Sequence, residues 1–336
     1  MHRMSHITGE MSMLKFVMAI AALAACTPVL AEQVRHDAVV DGVRIAYWTS
    51  QDIKPGDIPI VFLHGGPGYN SYSFRRTMGL SLEATTPVVY MDERGSGASE
   101  RPLSKDYTLQ AMAADVEGVR KALGVDKIIP LGHSFGGAVA ATYVSTFPSH
   151  VDRLILANAA TDMPAIMGVW MDALKSTQPA AFASEQATDP GKALAAVDPK
   201  DTCALSKARF AFFSDAVEKL PDPLAFYTMQ QFRTPAGKAE QKRIDAEGGY
   251  RNTGEVGAAV FGPKSDFLCY RVDPAKLTMP VLVIVGKYDL AVGAASQAAL
   301  ARQMPHGKYL MLKNSAHFSY QEEPGAFKDA VEAFIR

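Results

Sequence analysis

Short apolar runs alternate with amphipathic segments through the first half of this chain, and this alternation limits the fold more than any other feature. Strand-like runs rich in β-branched residues occupy residues 43–48, 58–63, 88–91 and 128–131. Helical periodicity marks residues 109–123 and 138–147, and a further strand is predicted at 154–157. Strands that alternate with helices indicate a mainly parallel sheet joined by right-handed crossovers.

The alternation stops after residue 160 and resumes about a hundred residues later. Residues 161–266 contain helical stretches broken by prolines, with no run that suggests a buried strand. Residues 281–285 then form a continuous β-branched run, typical of a strand buried on both faces, and a strand and a closing helix follow. We therefore predict an α/β core formed by residues 34–160 and 267–336, with 161–266 inserted as a helical cap.

The N-terminus has the features of an export signal over residues 1–31. Basic residues precede an apolar run at 16–25, and small residues at 29–31 supply the cleavage spacing. The run is shorter than the ~20 apolar residues that a membrane-spanning helix needs. We predict cleavage near Ala31, a periplasmic or secreted protein, and no transmembrane span after signal removal. Lipid attachment at Cys26, within the sequence LAAC, and a buried N-terminal helix are the alternatives.

Two cysteines remain once such a signal is removed, Cys203 and Cys269. In an oxidising compartment they could form a disulfide that closes a long loop. Two free buried thiols are the alternative, because sequence does not place their Cα atoms within bridging range. The Cys and His residues show no metal-binding spacing, so neither a metal nor another cofactor is expected.

The charge balance argues against a nucleic-acid partner. The chain has 34 Lys and Arg residues against 35 Asp and Glu residues, with no run of like charges. Nucleic-acid binding depends on a cationic surface that neutralises phosphates. A small molecule or a short peptide is the expected substrate, and the sequence gives no sign of a particular oligomeric state.

The sequence GHSFG at residues 132–136 follows a predicted strand and precedes a predicted helix. In that context the pattern G-x-S-x-G places its serine on a sharp turn, where flanking glycines let the strand and helix approach closely. The turn presents the Ser134 hydroxyl above the sheet edge, near a helix N-terminus that favours developing negative charge. Ser134 is therefore the predicted nucleophile.

A serine hydroxyl needs a base, and the base needs an orienting acid. Among the histidines that follow Ser134, only His317 comes after a predicted strand, where a loop at the carboxyl edge of the sheet would begin. Asp289 follows another strand in the same way. Catalytic groups of open α/β sheets gather at that edge. We predict His317 as the base and Asp289 as its partner.

A tetrahedral intermediate also needs two backbone N–H donors. Phe135, the residue after the nucleophile, is expected to supply one of them. The sequence HGGPG at residues 64–68 is expected to supply the other. Its proline has no N–H, which leaves Gly65, Gly66 or Gly68 as the second donor.

Three motifs together resemble the α/β-hydrolase fold, and specifically its proline iminopeptidase branch. They are HGGPG at 64–68, DERGSGAS at 92–99 and GHSFGG at 132–137. The sequence FGPKSDF at 261–267 extends the resemblance into the cap, because it is similar to the family's G-P-x-E-F stretch.

The resemblance implies an α/β-hydrolase fold with a catalytic triad, an oxyanion hole and a substrate-binding acid. The triad would be Ser134, Asp289 and His317. The oxyanion hole would be Gly66 and Phe135. Asp266 would be the cap carboxylate that holds the free α-amino group of the substrate.

The implied activity is that of a secreted serine hydrolase that releases N-terminal proline, or a similar residue, from short peptides. The chain departs from the family at Leu290, where a carboxylate usually follows the triad aspartate, and at Lys287, where a glutamate is frequent. Because an apolar residue cannot pair with an ammonium group, an esterase, lactonase or amidase acting on a small non-peptide substrate is the alternative. A non-catalytic ligand-binding member of the fold is a further alternative, which the complete triad disfavours.

Overall fold

Eight strands form a single sheet within the part of the chain that the computed structural model describes, residues 33–248 and 254–336. The predicted signal at 1–31, including Cys26 and Ala31, lies outside the described residues. In chain order, the strands are β1 (Val34–Val40), β2 (Val43–Thr49), β3 (Ile60–Leu63), β4 (Val88–Met91), β5 (Ile129–His133), β6 (Leu154–Ala157), β7 (Val281–Gly286) and β8 (Gly307–Leu312).

The strand order across the sheet is β1-β2-β4-β3-β5-β6-β7-β8. β1 and β2 pair antiparallel, as do β2 and β4, and all pairs from β4 to β8 are parallel. The five strands β3, β4, β5, β6 and β7 are buried along their whole length, as expected for apolar strands covered on both faces. The predicted mainly parallel α/β sheet is confirmed.

The helices of the described residues cover both faces of this sheet and form the inserted segment. They are α1 (Tyr72–Phe74), α2 (Leu80–Leu82), α3 (Leu109–Leu123), α4 (Phe135–Thr146), α5 (Met163–Thr177), α6 (Pro179–Glu185), α7 (Asp189–Ala196), α8 (Thr202–Glu218), α9 (Pro223–Gln231), α10 (Pro235–Gly248), α11 (Gly254–Val260), α12 (Ala294–Gln303), α13 (Ser319–Glu322) and α14 (Pro324–Ile335). Shorter 3₁₀ turns occupy Pro148–His150, Phe267–Cys269 and Pro274–Lys276, and a π-helical turn occupies Arg75–Gly79.

Helix α3 illustrates how local sequence sets these bounds. The side chain of Thr108 accepts a hydrogen bond from the N–H of Ala111 and so caps the first turn. Gly124 ends the helix at a φ of 70°, a left-handed conformation that suits glycine. Met112, Val116 and Val119 lie on its buried face. The helix begins and ends at the residues that the apolar periodicity predicts.

Helices α5 to α11 lie between β6 and β7 and form the cap segment. They contain a small core of their own in which Phe212, Phe213 and Phe226 are buried together. Several prolines of this segment lie in the first turn of a helix: Pro179 and Pro223 are the first residues of α6 and α9. A proline in the first turn breaks no intrahelical hydrogen bond, because the N–H there has no partner.

A disulfide joins Cys203 in α8 to Cys269 in the 3₁₀ turn Phe267–Cys269. It links a cap helix to the segment through which the chain returns to the sheet. Within the described residues, no helix is both long and apolar enough to span a membrane. In the same part of the chain, no group of three or more His, Cys, Asp or Glu side chains could hold a metal ion.

Candidate active site

Ser134 lies at the sharp turn between β5 and α4. Its φ of 54° and ψ of −122° fall where side-chain-bearing residues are rare, and such strain costs about 1–3 kcal/mol. Backbone hydrogen bonds hold the turn. The Ser134 N–H donates to the carbonyls of Ala157 and Asn158, and the Ser134 carbonyl accepts from Gly137 at 2.9 Å and from Ala160 at 2.8 Å. The residue is only partly buried, so its hydroxyl remains accessible in this strained position.

The HGGPG loop passes directly over this turn. A Cβ placed on Gly65 would lie 2.8 Å from the Ser134 Cβ, closer than real Cβ atoms approach other atoms, and 3.3 Å from its Oγ. A Cβ on Gly136 would lie 2.3 Å from the carbonyl oxygen of Leu63. Both motifs therefore need their glycines because their backbones pack against each other.

His317 and Asp289 meet at the carboxyl edge of the sheet. Asp289 follows β7 and His317 follows β8, and the imidazole Nδ1 lies 2.9 Å from Asp289 Oδ2. Both residues are buried. This bond fixes the plane of the imidazole and leaves its Nε2 for other chemistry.

Asp289 is held as a carboxylate by several donors. Its Oδ1 accepts the N–H groups of Ala291 at 2.7 Å and Val292 at 3.0 Å. Its Oδ2 accepts the Asn158 amide at 2.7 Å in addition to the imidazole. Burial alone would raise the pKa of Asp289, but the imidazole and the hydrogen bonds outweigh it and lower that pKa. The carboxylate is therefore charged and able to stabilise an imidazolium.

Ser134 and His317 line one cavity of about 310 Å³. Gly66 and Phe135 line it as well. The apolar part of the wall consists of Pro67, Ala160, Met163, Ile166, Trp170, Phe210, Phe261, Phe267, Ala291 and Val292. The other polar lining residues are Ser214, Tyr227, Gln230 and Gln231. No Asp, Glu, Lys or Arg is among the described residues that line it.

The backbone N–H groups of Gly66 and Phe135 have no hydrogen-bond acceptor within residues 33–248 and 254–336. Phe135 is the first residue of α4, where an N–H has no intrahelical partner. Gly66 has a φ of 125°, which a side chain would strain, and a Cβ there would lie 2.6 Å from the Gly68 nitrogen. Two free donors are thus present on the wall that contains Ser134.

Asp266 is not among the residues that line the cavity shared by Ser134 and His317. Its side chain is 96% exposed and its nearest charged partner is Lys207, at 3.5 Å. The next residue, Phe267, lines the cavity instead. The 3₁₀ turn places Phe267 inward and the Asp266 carboxylate in solvent, so the structure does not bring Asp266 into this cavity and its substrate-binding role stays a prediction. Leu290 is not among the lining residues either.

A family model for the α/β-hydrolase fold matches residues 58–324. The chain belongs to this family. A proline iminopeptidase from Heyndrickxia coagulans is 26% identical over 88% of this chain and 96% of its own length. One from Saccharolobus solfataricus is 25% identical over 88% and 89%. The chain therefore belongs to a hydrolase family, and these relatives match most of its length.

Solved structures agree with this assignment of the fold. A proline iminopeptidase-related protein from Thermus thermophilus superposes with a TM-score of 0.69 at 22% identity, covering 90% of this chain and 99% of its own. An esterase from a Rhodococcus species superposes with a TM-score of 0.64 at 23% identity, covering 90% and 98%. The α/β-hydrolase fold is thus shared with both peptidase-related and esterase structures.

Asn158 is a residue of this hydrolase site that the sequence motifs do not reveal. Its amide donates to Asp289 and, at 3.1 Å, to the carbonyl of Ala316, and its Oδ1 accepts the Ser319 hydroxyl. It therefore joins the acid to the loop that carries His317. One signal was available, because Asn158 directly follows buried β6 at the same sheet edge as Asp289 and Ser134.

His133 and Gln231 hold the backbone of His317 from two sides. The His133 Nε2 donates to the His317 carbonyl at 3.0 Å, and the His317 N–H donates to the Gln231 carbonyl at 3.0 Å. Burial, with repulsion from His317, lowers the pKa of His133 to about 3, so this imidazole is neutral. The elbow motif and the end of cap helix α9 thus both fix the position of His317.

A buried acid lies behind the HGGPG loop. The His64 Nε2 accepts the N–H of Glu93 at 3.0 Å, so its Nδ1 carries the hydrogen and donates to the Gly65 carbonyl at 2.7 Å. The Glu93 carboxyl is fully buried, and neither of its oxygens has a hydrogen-bond partner within the described residues. Burial and the nearby charges of Asp92 and Asp115 raise the pKa of Glu93 well above its usual range. The carboxyl group of Glu93, which lies beside His64 of the HGGPG loop, is therefore uncharged.

Proposed function

We propose that this α/β hydrolase is a serine hydrolase that cleaves carboxylic esters or lactones whose reacting part carries no charge. The observation that carries the proposal is the composition of the cavity shared by Ser134 and His317. Its described lining is largely apolar and contains no carboxylate or cationic side chain apart from His317 itself. A buried ammonium group without a counter-charge is strongly disfavoured.

In the proposed mechanism, Ser134 attacks the scissile carbonyl while His317 accepts its proton. Asp289 holds the imidazole in the required tautomer and stabilises its charged form. The N–H groups of Gly66 and Phe135 bind the oxyanion of the tetrahedral intermediate. His317 then protonates the leaving alcohol, and water releases the acyl group by the same steps. The free donors and the Asp289–His317 bond support these roles.

Release of N-terminal proline from short peptides is the second candidate. It is favoured by the two proline iminopeptidases that match 88% of this chain. The exposed carboxylate of Asp266 and the apolar side chain of Leu290 count against it, because neither can neutralise a substrate amine in the cavity.

We further propose that the protein acts in the periplasm or outside the cell, after cleavage near Ala31 or lipid attachment at Cys26. The Cys203–Cys269 disulfide supports an oxidising compartment.

The deciding experiment compares proline para-nitroanilide with its N-acetyl form, alongside para-nitrophenyl butyrate. We expect hydrolysis of the ester and a higher kcat/KM for the uncharged anilide, because its nitrogen needs no counter-charge. A strong preference for the free amine would instead support the peptidase.

A second experiment tests the nucleophile. Ser134→Ala should abolish labelling by a fluorophosphonate probe, while Ser214→Ala, which alters another serine of the cavity, should still be labelled. Equal labelling of the Ser134→Ala variant and the wild type would contradict the assigned nucleophile.

A further inference from the structure

Gln230 is a buried polar side chain in the catalytic cavity that the proposed mechanism does not use. It is 3% exposed, and its Nε2 is fully buried without a hydrogen-bond partner within residues 33–248 and 254–336. Buried amide groups almost always have partners, so an exception in a cavity wall needs an explanation.

The other polar groups around the cavity have a partner, an assigned role or access to solvent. The side chains of Ser214, Tyr227 and Gln231 are half-buried or exposed, so water can pair with them. Trp170 donates its indole N–H to the Ala291 carbonyl at 2.7 Å. The Gln231 carbonyl accepts the His317 N–H. The N–H groups of Gly66 and Phe135 are assigned to the oxyanion. Among the described residues that line the cavity, Gln230 is thus the one whose buried side-chain nitrogen lacks a hydrogen-bond partner.

The position of Gln230 is fixed relative to the reacting groups. It is the next-to-last residue of α9, directly before Gln231, whose carbonyl is bonded to the His317 backbone. Tyr227 lies one turn earlier on the same helix and also lines the cavity. Gln230 is thus adjacent in the chain to the residue whose carbonyl holds the His317 backbone. Its amide can therefore bind one part of a substrate while His317 acts on the scissile bond.

We infer that Gln230 binds a second oxygen acceptor of the substrate, so that the preferred ester or lactone carries a neutral keto, amide or ether oxygen apart from its scissile group. This inference rests on the proposed function. An apolar ester would leave the Gln230 amide unpaired when it fills the cavity, whereas an ester with a suitably placed oxygen would satisfy it. Sites with a buried donor reject ligands that lack the matching acceptor.

The test uses two substrates of equal size, para-nitrophenyl levulinate, which has a keto oxygen, and para-nitrophenyl isocaproate, which has a methyl group in its place. The same comparison with acyl chains one carbon longer covers a second acceptor position. The wild type should prefer the keto ester in at least one pair. Gln230→Met keeps the length of the side chain without its donor and should reduce that preference about 3- to 10-fold. Gln186→Met makes the same change on the exposed cap surface and should leave the preference at its wild-type value.

The thermal midpoint distinguishes substrate binding from a structural role. Because the Gln230 amide has no partner to lose, Gln230→Met should unfold at the wild-type temperature or above it. An unchanged keto preference in Gln230→Met, or a lowered midpoint, would overturn the inference. Failure of the proposed function would look different, because the wild type would then hydrolyse neither ester.

Discussion

The carboxylate of Glu322 accepts, at 2.8 Å, the backbone N–H of Ala316, the residue that immediately precedes His317 in the chain. Its other oxygen accepts the N–H groups of Arg233 at 3.0 Å and Thr234 at 3.1 Å, which connect α9 to α10 in the cap. One side chain therefore joins the cap to the loop that carries His317. Because α9 also contains Gln230, this connection fixes the cap wall relative to the imidazole.

Glu322→Gln should lower kcat about 10- to 100-fold, because small displacements of a catalytic group are costly. The glutamine amide has one oxygen instead of two. Its NH₂ group would therefore face backbone N–H groups that now donate to a carboxylate oxygen of Glu322, and those hydrogen bonds would be lost. KM should change much less than kcat, since the cavity wall itself is retained. Steady-state kinetics with a para-nitrophenyl ester would measure both. Glu240→Gln, the same change at an exposed ion pair of α10, serves as the control. Equal falls in kcat for the two variants would contradict a positioning role.

Asp289→Asn should lower kcat by up to ~10⁴. If the amide oxygen stays with the N–H groups of Ala291 and Val292, its NH₂ group faces the His317 Nδ1. The imidazole would then carry its hydrogen on Nε2 and could not accept the proton of Ser134. Single-turnover acylation by a para-nitrophenyl ester measures this step directly. Asp172→Asn, on the exposed side of α5, should acylate at the wild-type rate. A near-normal rate for Asp289→Asn would assign the orienting role to another acid.

Placement at strand ends is the part of this site that sequence predicts well. Ser134 and Asp289 each follow a buried strand, His317 follows the more exposed strand β8, and parallel strands bring their carboxyl ends to one edge. Hydrophobic periodicity and turn residues are local signals, so the bounds of α3 and the order of strands and helices follow from them.

The cap is the part that sequence predicts poorly. Asp266 matches a motif, yet a single 3₁₀ turn decides that Phe267 and not the carboxylate faces the cavity. Gln230 belongs to no motif, and its importance depends on which partners are missing around it, which is a property of tertiary packing. Asn158 and Glu322 act through contacts with residues distant in the chain, and no local pattern encodes those contacts.

Glu93 should make the protein less stable as pH rises. The pKa of Glu93 is raised in the folded state, so the unfolded chain ionises first, from about the ordinary pKa of 4.5 upward. Between that pH and the raised folded pKa, the unfolded state binds fewer protons and the free energy of unfolding falls. Glu93→Gln cannot ionise, so its denaturation midpoint should vary less between pH 5 and 9. Urea unfolding across that range measures the difference. Parallel curves for variant and wild type would show that Glu93 does not ionise on unfolding in this way.

The Cys203–Cys269 disulfide should stabilise the cap and the cavity wall together. It closes a sequence separation of 66 residues, and the chain-entropy treatment gives about 4 kcal/mol for a loop of this size. Phe267, two residues before Cys269, lines the cavity. The double variant Cys203→Ser with Cys269→Ser should therefore unfold at a lower urea concentration and show a raised KM for para-nitrophenyl butyrate.

Dithiothreitol provides the matched control, because it should lower the urea midpoint of the wild type and leave that of the double variant unchanged. Equal midpoints for oxidised wild type, reduced wild type and double variant would contradict a stabilising role for the disulfide. A lowered midpoint with an unchanged KM would restrict its effect to the cap. The cavity wall would then be held by the packing of Phe267 against Phe135 and Phe261 instead.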